Sequence, residues 1–317
     1  MDLVESMLAA AREVGDVDDP ARRAAVERWM LEYTAENVGL NVGQAMVAAG
    51  QLARRWGHWA IADEHNWDRL CRAPLRTEFE WSLAGLWPAD FARPVVVPGS
   101  HGDQLELFLP EDVPGAAPDE RVEPVDLREV GPAEIPVPDF AEFAAHVGER
   151  ERLMFGRILE CGGLVRWEPD MPEDVLWDLG LDDVADAENY EGDLSFLLNL
   201  NPHAGGGSVM RLVLGMLARL VVLYLSGAFG DPENADEEDD ALADPDGVVP
   251  ASALELDLIV WLAARRLRLD IPPGPAGAQW LLDPAAPAPG ELSWALVYDV
   301  ADGVEGILLG HRYRVND

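Results

Sequence analysis

Residues 201–229 read NPHAGGGSVMRLVLGMLARLVVLYLSGAF, three adjacent glycines that run into the most apolar segment of the chain. Three structures fit such a stretch: a phosphate loop with its helix, a membrane span, or a core helix entered through a turn. A phosphate loop needs a lysine for the outer phosphates and a strand leading into the glycines. The chain has no lysine, and the residues before the glycines give no clear strand pattern. A membrane helix needs about twenty apolar residues with few charges. Arg211 and Arg219 interrupt this run, and an arginine at mid-bilayer costs about 3 kcal/mol. The stretch therefore predicts a core helix, buried on most of its surface, with both arginines reaching toward carboxylates.

The missing lysine has wider consequences. All 23 basic residues among the 317 are arginine. Internal Schiff bases, pyridoxal phosphate linkage and kinase-type or Walker lysines are excluded together. The N-terminus is the only amine open to conjugation. Cys71 and Cys161 are the two cysteines, too few for a disulfide framework or an all-cysteine metal site, and they read as reduced thiols. The opening residues MDLVESMLAAAREVGD carry acid where a secretory signal carries base, so the expected location is the cytoplasm.

Charge is distributed unevenly. Residues 1–76 hold 9 Arg and 12 acids, whereas residues 77–317 hold 14 Arg against 47 acids, out of a formal net charge of -36. A negative field of this size repels phosphate backbones, which argues against direct nucleic-acid binding and for a basic protein partner. With 49% apolar residues the chain still has the material for a real core.

Working outward from the central helix, Asp19-Pro20 predicts a helix start, with the helix ending near Asn37 and Arg23–Glu27 and Arg28–Glu32 paired along its outer face. Gly43, Gly50 and Gly57 recur every seven residues and form one stripe if the following helix runs through them. His58 and His65 are about 10.5 Å apart on a continuous helix, too far to share a metal. TEFEWSL, RPVVVPG and DQLELFLP between residues 77 and 110 read as short strands of a small sheet. Residues 110–138, with seven prolines and eight acids, read as a linker or surface strap. Asp139 is the expected cap of an amphipathic helix through Phe143, Met154 and Ile158 to Gly162-Gly163. Residues 168–193 carry eleven acids and no arginine, and predict short helical turns on an acidic surface. Ser252 and Glu255 form a capping box for a helix over 252–269, and Asp302-Gly303 signals a hairpin at the C-terminus.

The fold class is therefore α+β and mainly helical: N-terminal helices with a small sheet over 1–109, the strap over 110–138, and an acidic helical part over 139–317 that ends in a β-hairpin.

Two acidic clusters are candidate sites. Asp236, Glu237, Glu238, Asp239 and Asp240 form the densest run, suited to holding a basic partner and lacking the spaced ligands and loop glycine of an EF-hand. Asp182, Asp183 and Asp186, in DDVAD, are similar to the aspartate-rich magnesium motif of class I terpene synthases. The resemblance covers five residues, and the downstream metal motif of that family is missing. No Gly-x-Ser-x-Gly elbow occurs. The leading expectation is a non-catalytic acidic binding or regulatory protein that engages a basic partner in competition with nucleic acid, with no cofactor and no membrane association. The alternatives are an enzyme that holds magnesium or calcium on clustered carboxylates, and a structural subunit of a larger assembly, suggested by eleven tryptophans.

Overall fold

The computed structural model describes residues 6, 18–99, 103–116, 143, 145–172, 175–180, 196–202, 208–225, 251–283 and 292–310. It is α+β and mainly helical, with two small sheets among the described residues. The chain divides into two units, residues 1–127 with 275–299 and residues 128–274 with 300–317.

In the first unit, α1 (Pro20–Glu36) starts where the Asp19 carboxylate accepts from the backbone N–H groups of Ala21 and Arg22 at 3.0 and 3.4 Å. Proline at the first helical position loses no bond there, so Asp19-Pro20 sets the boundary locally. Arg23 does pair with Glu27 at 3.1 Å, but Glu27 is buried, as is Arg28. The face expected to meet solvent is therefore packed. α2 (Val42–Trp56) opens on an Asn41–Gln44 capping box and stops at Gly57, whose φ of +82° favours glycine. Gly43 and Gly50 are buried within α2, while Gly57 lies at its end. The glycines thus do not form one three-membered stripe.

Short helices α3 (His58–Ile61) and α4 (Trp67–Cys71) follow. Next come α5 (Glu78–Leu83) and an antiparallel hairpin of β1 (Val95–Pro98) and β2 (Gln104–Leu107). The outer margin of β1 meets α2. The Gln51 amide donates to Val96 O at 2.6 Å and accepts from Val96 N at 3.0 Å, and Gln44 Nε2 donates to Pro98 O at 2.7 Å. TEFEWSL is α5, not a strand. Its alternating apolar residues resemble a strand, but Thr77 and Glu80 close a reciprocal capping box and only Trp81 turns inward.

The second unit begins, among its described elements, with α6 (Glu149–Glu160), which starts at Gly148. Phe143 lies ahead of that helix in a turn and stacks on Trp167 with ring centroids 4.7 Å apart. The expected helix over both thus starts later, and Asp139 falls outside the described residues. Three strands follow: β3 (Gly163–Trp167), β4 (Trp177–Gly180) and β5 (Phe196–Leu200), in sheet order β3-β5-β4. β5 pairs parallel with β3 and antiparallel with β4, and all five of its residues are buried, as a central strand requires. β4 corrects the expectation of helical turns over 168–193. β5 is likewise a strand leading toward the glycines, and it was not visible in the sequence because its run FLLNL is too short and uniformly apolar to show a period.

The opening stretch contains α7 (Val209–Leu225), most of it buried. Among the described residues no helix is long and apolar enough to cross a membrane. Arg211 pairs with Asp257 at 3.3 Å and donates to Pro272 O at 2.7 Å, while the Arg219 guanidinium lies 4.7 Å from the Trp177 ring centre. α8 (Ala253–Arg266) opens on the expected Ser252–Glu255 box. α9 (Pro275–Leu282) belongs to the first unit.

The C-terminal hairpin is replaced by a single helix, α10 (Trp294–Leu309). The Asp302-Gly303 signal is local, and the flanking residues overrule it. Trp294, Val297, Ala301, Val304 and Leu308 are buried and spaced by three or four residues, a helical period. The first six residues of α10 group with the first unit and the remainder with the second.

Candidate functional site

The two acidic clusters chosen from sequence, Asp236 to Asp240 and Asp182, Asp183 and Asp186, lie outside the described residues. Among the described residues no three His, Cys, Asp or Glu side chains are grouped to hold a metal ion. His58 and His65 are on separate short elements, and exposed His65 sets its Nδ1 3.0 Å from Asp63. Cys71 is buried and Cys161 half-buried, both as thiols. Burial, reinforced by Glu160, pushes the Cys161 thiol up, away from the thiolate that a nucleophile needs.

The most distinctive exposed feature is in the first unit, where Phe79, Leu83, Trp87 and Phe91 recur every fourth residue. Their relative exposures are 71%, 73%, 58% and 88%. The row is held from behind. Trp81, fully buried, donates from Nε1 to Phe108 O at 3.2 Å, with the Arg76 guanidinium 4.8 Å from its ring centre. Arg76 and Phe108 exchange backbone hydrogen bonds of 3.2 and 2.7 Å, which brings the start of α5 beside the end of β2. Trp81, Phe108 and Val113 form a small core, against which Leu86 and Ala92 also pack.

The backbone between them is fixed as well. Gly85, at φ +75°, ends α5, and Leu86 N donates to Trp81 O at 3.1 Å. Ala89 N donates to Asp112 O at 2.9 Å. The Asp112 carboxylate is gripped by Arg55 through two bonds of 2.6 and 3.0 Å, a bidentate pair that holds the Arg55 guanidinium above its ordinary range. With residues 81, 86 and 92 committed inward, residues 79, 83, 87 and 91 face water. Exposed Glu78, Glu80 and Asp90 lie among them, with Arg93 the only base between residues 77 and 93.

Sequence reasoning missed this row because residues 77–83 looked like a strand and the others like connecting loop. Phe79 and Leu83 lie on α5, but Trp87 and Phe91 lie in the irregular segment after it, where a four-residue interval fixes no face and gave no signal.

A second cluster lies inside the first unit. Glu27 accepts from Arg23 Nε at 3.1 Å and from Trp294 Nε1 at 3.2 Å. Burial raises the Glu27 carboxyl above its ordinary range, and the bond from Arg23 opposes that rise. Tyr298 and Tyr33 are fully buried, which pushes both phenols up. This arrangement ties α1 to the first turn of α10.

No protein-family model, curated protein or solved structure matches this chain.

Proposed function

We propose that the chain is a non-catalytic acidic binding protein of the cytoplasm that engages a basic protein partner and competes with nucleic acid for it. The observation that carries this reading is the 47-to-14 excess of acids over arginines across residues 77–317, without a lysine anywhere. Within the second unit, several of the described arginines are paired one for one with acids. Arg157 pairs with Glu160, Arg166 with Glu168, Arg211 with Asp257 and Arg266 with Glu305. Each of these pairs neutralises one acid as well, so the surplus of carboxylates counted over residues 77–317 remains, and the resulting field attracts cations and speeds their encounter.

The test is recovery of partners from the native host on immobilised full-length protein at low and high salt. A basic protein should be retained at low ionic strength, released as salt rises, and displaced from nucleic acid by added chain. Recovery of no basic partner, or retention indifferent to salt, would falsify the reading.

A further inference from the structure

We infer that the outward row Phe79, Leu83, Trp87 and Phe91 is a docking surface for a basic amphipathic helix of the partner, an inference that rests on the acidic binding reading above. Large aromatic side chains in water are the residue types that dominate binding energy once covered. Here four large apolar groups share thirteen residues of chain. The row has no interior place to occupy, since Trp81, Leu86 and Ala92 already fill the small core beneath it. It is also firmly mounted, by the Thr77–Glu80 box and the Arg55–Asp112 pair.

Charge selects the occupant. Glu78, Glu80 and Asp90 are exposed along the row against one base, Arg93, while Glu111 is already paired with Arg55 at 2.9 Å. A second copy of a chain with net charge -36 would bring the same acids against these. A nucleic acid would bring phosphates. A helix with apolar residues at three- and four-residue spacing and arginine or lysine along its flanks satisfies both the apolar row and its acidic border.

Three labelled peptides test this by fluorescence anisotropy on the full chain at low salt: an amphipathic helix with lysine flanks, its scrambled sequence, and the same helix with glutamate flanks. The lysine-flanked helix should bind most tightly. The double variant Phe79→Ser/Phe91→Ser should weaken it by roughly tenfold or more, with circular dichroism and melting temperature unchanged. Because both side chains are exposed, folding is not at risk; Trp87→Ala provides a second variant with the same expected direction.

If the scrambled basic peptide binds equally well to both proteins, the acidic reading stands and the docking surface falls. If no basic peptide binds, both fall. Equal binding of the glutamate-flanked helix overturns the choice of occupant. So does a dimer seen by light scattering that the double variant dissociates, or wild-type adsorption to phosphatidylcholine vesicles that the variant abolishes.

Discussion

At the residue scale, buried charge divides into two kinds. Arg266 and Glu305 meet at 2.6 Å with 1% and 8% of their side chains exposed. Removing the carboxylate of such a pair leaves a buried guanidinium less compensated, so Glu305→Ala should cost about 3 kcal/mol, read from chemical denaturation. Glu27 is the other kind. Burial raises it above the ordinary 4.5, and Asp299 is likewise raised by burial above 3.8. Between the ordinary and the raised values the folded chain keeps protons that the unfolded chain has released. Stability therefore falls as pH rises through that window. Glu27→Gln should flatten part of the decline in melting temperature with pH; an unchanged slope would show that Glu27 does not titrate there. None of this was legible from spacing. Arg23 to Glu27 looked like a solvent pair because a four-residue interval says nothing about which face another helix covers.

At the scale of elements, local caps were the most readable feature. Asp19-Pro20 and Ser252–Glu255 act where the sequence places them, because a cap is satisfied by its own neighbours. The errors came from short signals set against longer periods. Asp302-Gly303 lies inside α10, and an alternating triplet in α5 hid a capping box. Two glycines separate the local from the tertiary role of that residue. Gly215 lies within α7 with open space where a Cβ would stand, so Gly215→Ala should stabilise by about 0.5–1 kcal/mol. At Gly163, the first residue of β3, a Cβ would run into the Phe196 ring and Ile158. Gly163→Ala should destabilise by roughly 1–3 kcal/mol through overpacking. Thermal denaturation of the two variants should shift in opposite directions.

For the whole molecule, caps and hydrophobic spacing gave a mainly helical α+β chain, and composition gave its strong anionic excess. The division into two units was less legible, since residues 275–299 join the first unit from far along the sequence. The proposed binding surface was invisible for a related reason. Outward orientation at residues 79–91 depends on Phe108 and Val113 filling the space behind them. Mutual repulsion of so many carboxylates predicts that melting temperature rises as sodium chloride screens them, opposite in sign to the effect of salt on partner retention. On the same reading, magnesium and calcium should give no more stabilisation than sodium at equal ionic strength. A specific shift that Asp183→Asn removes would restore the metal-dependent alternative.

Two side-chain amides of α2, which covers the outer margin of β1, also complete the hydrogen bonding that an uncovered edge strand would offer to another chain. By answering Val96 and Pro98, Gln51 and Gln44 mimic the neighbour that an unguarded ladder would recruit from another molecule. Replacing both with alanine leaves those backbone groups under the helix without these partners, which should lower the melting temperature of the protein.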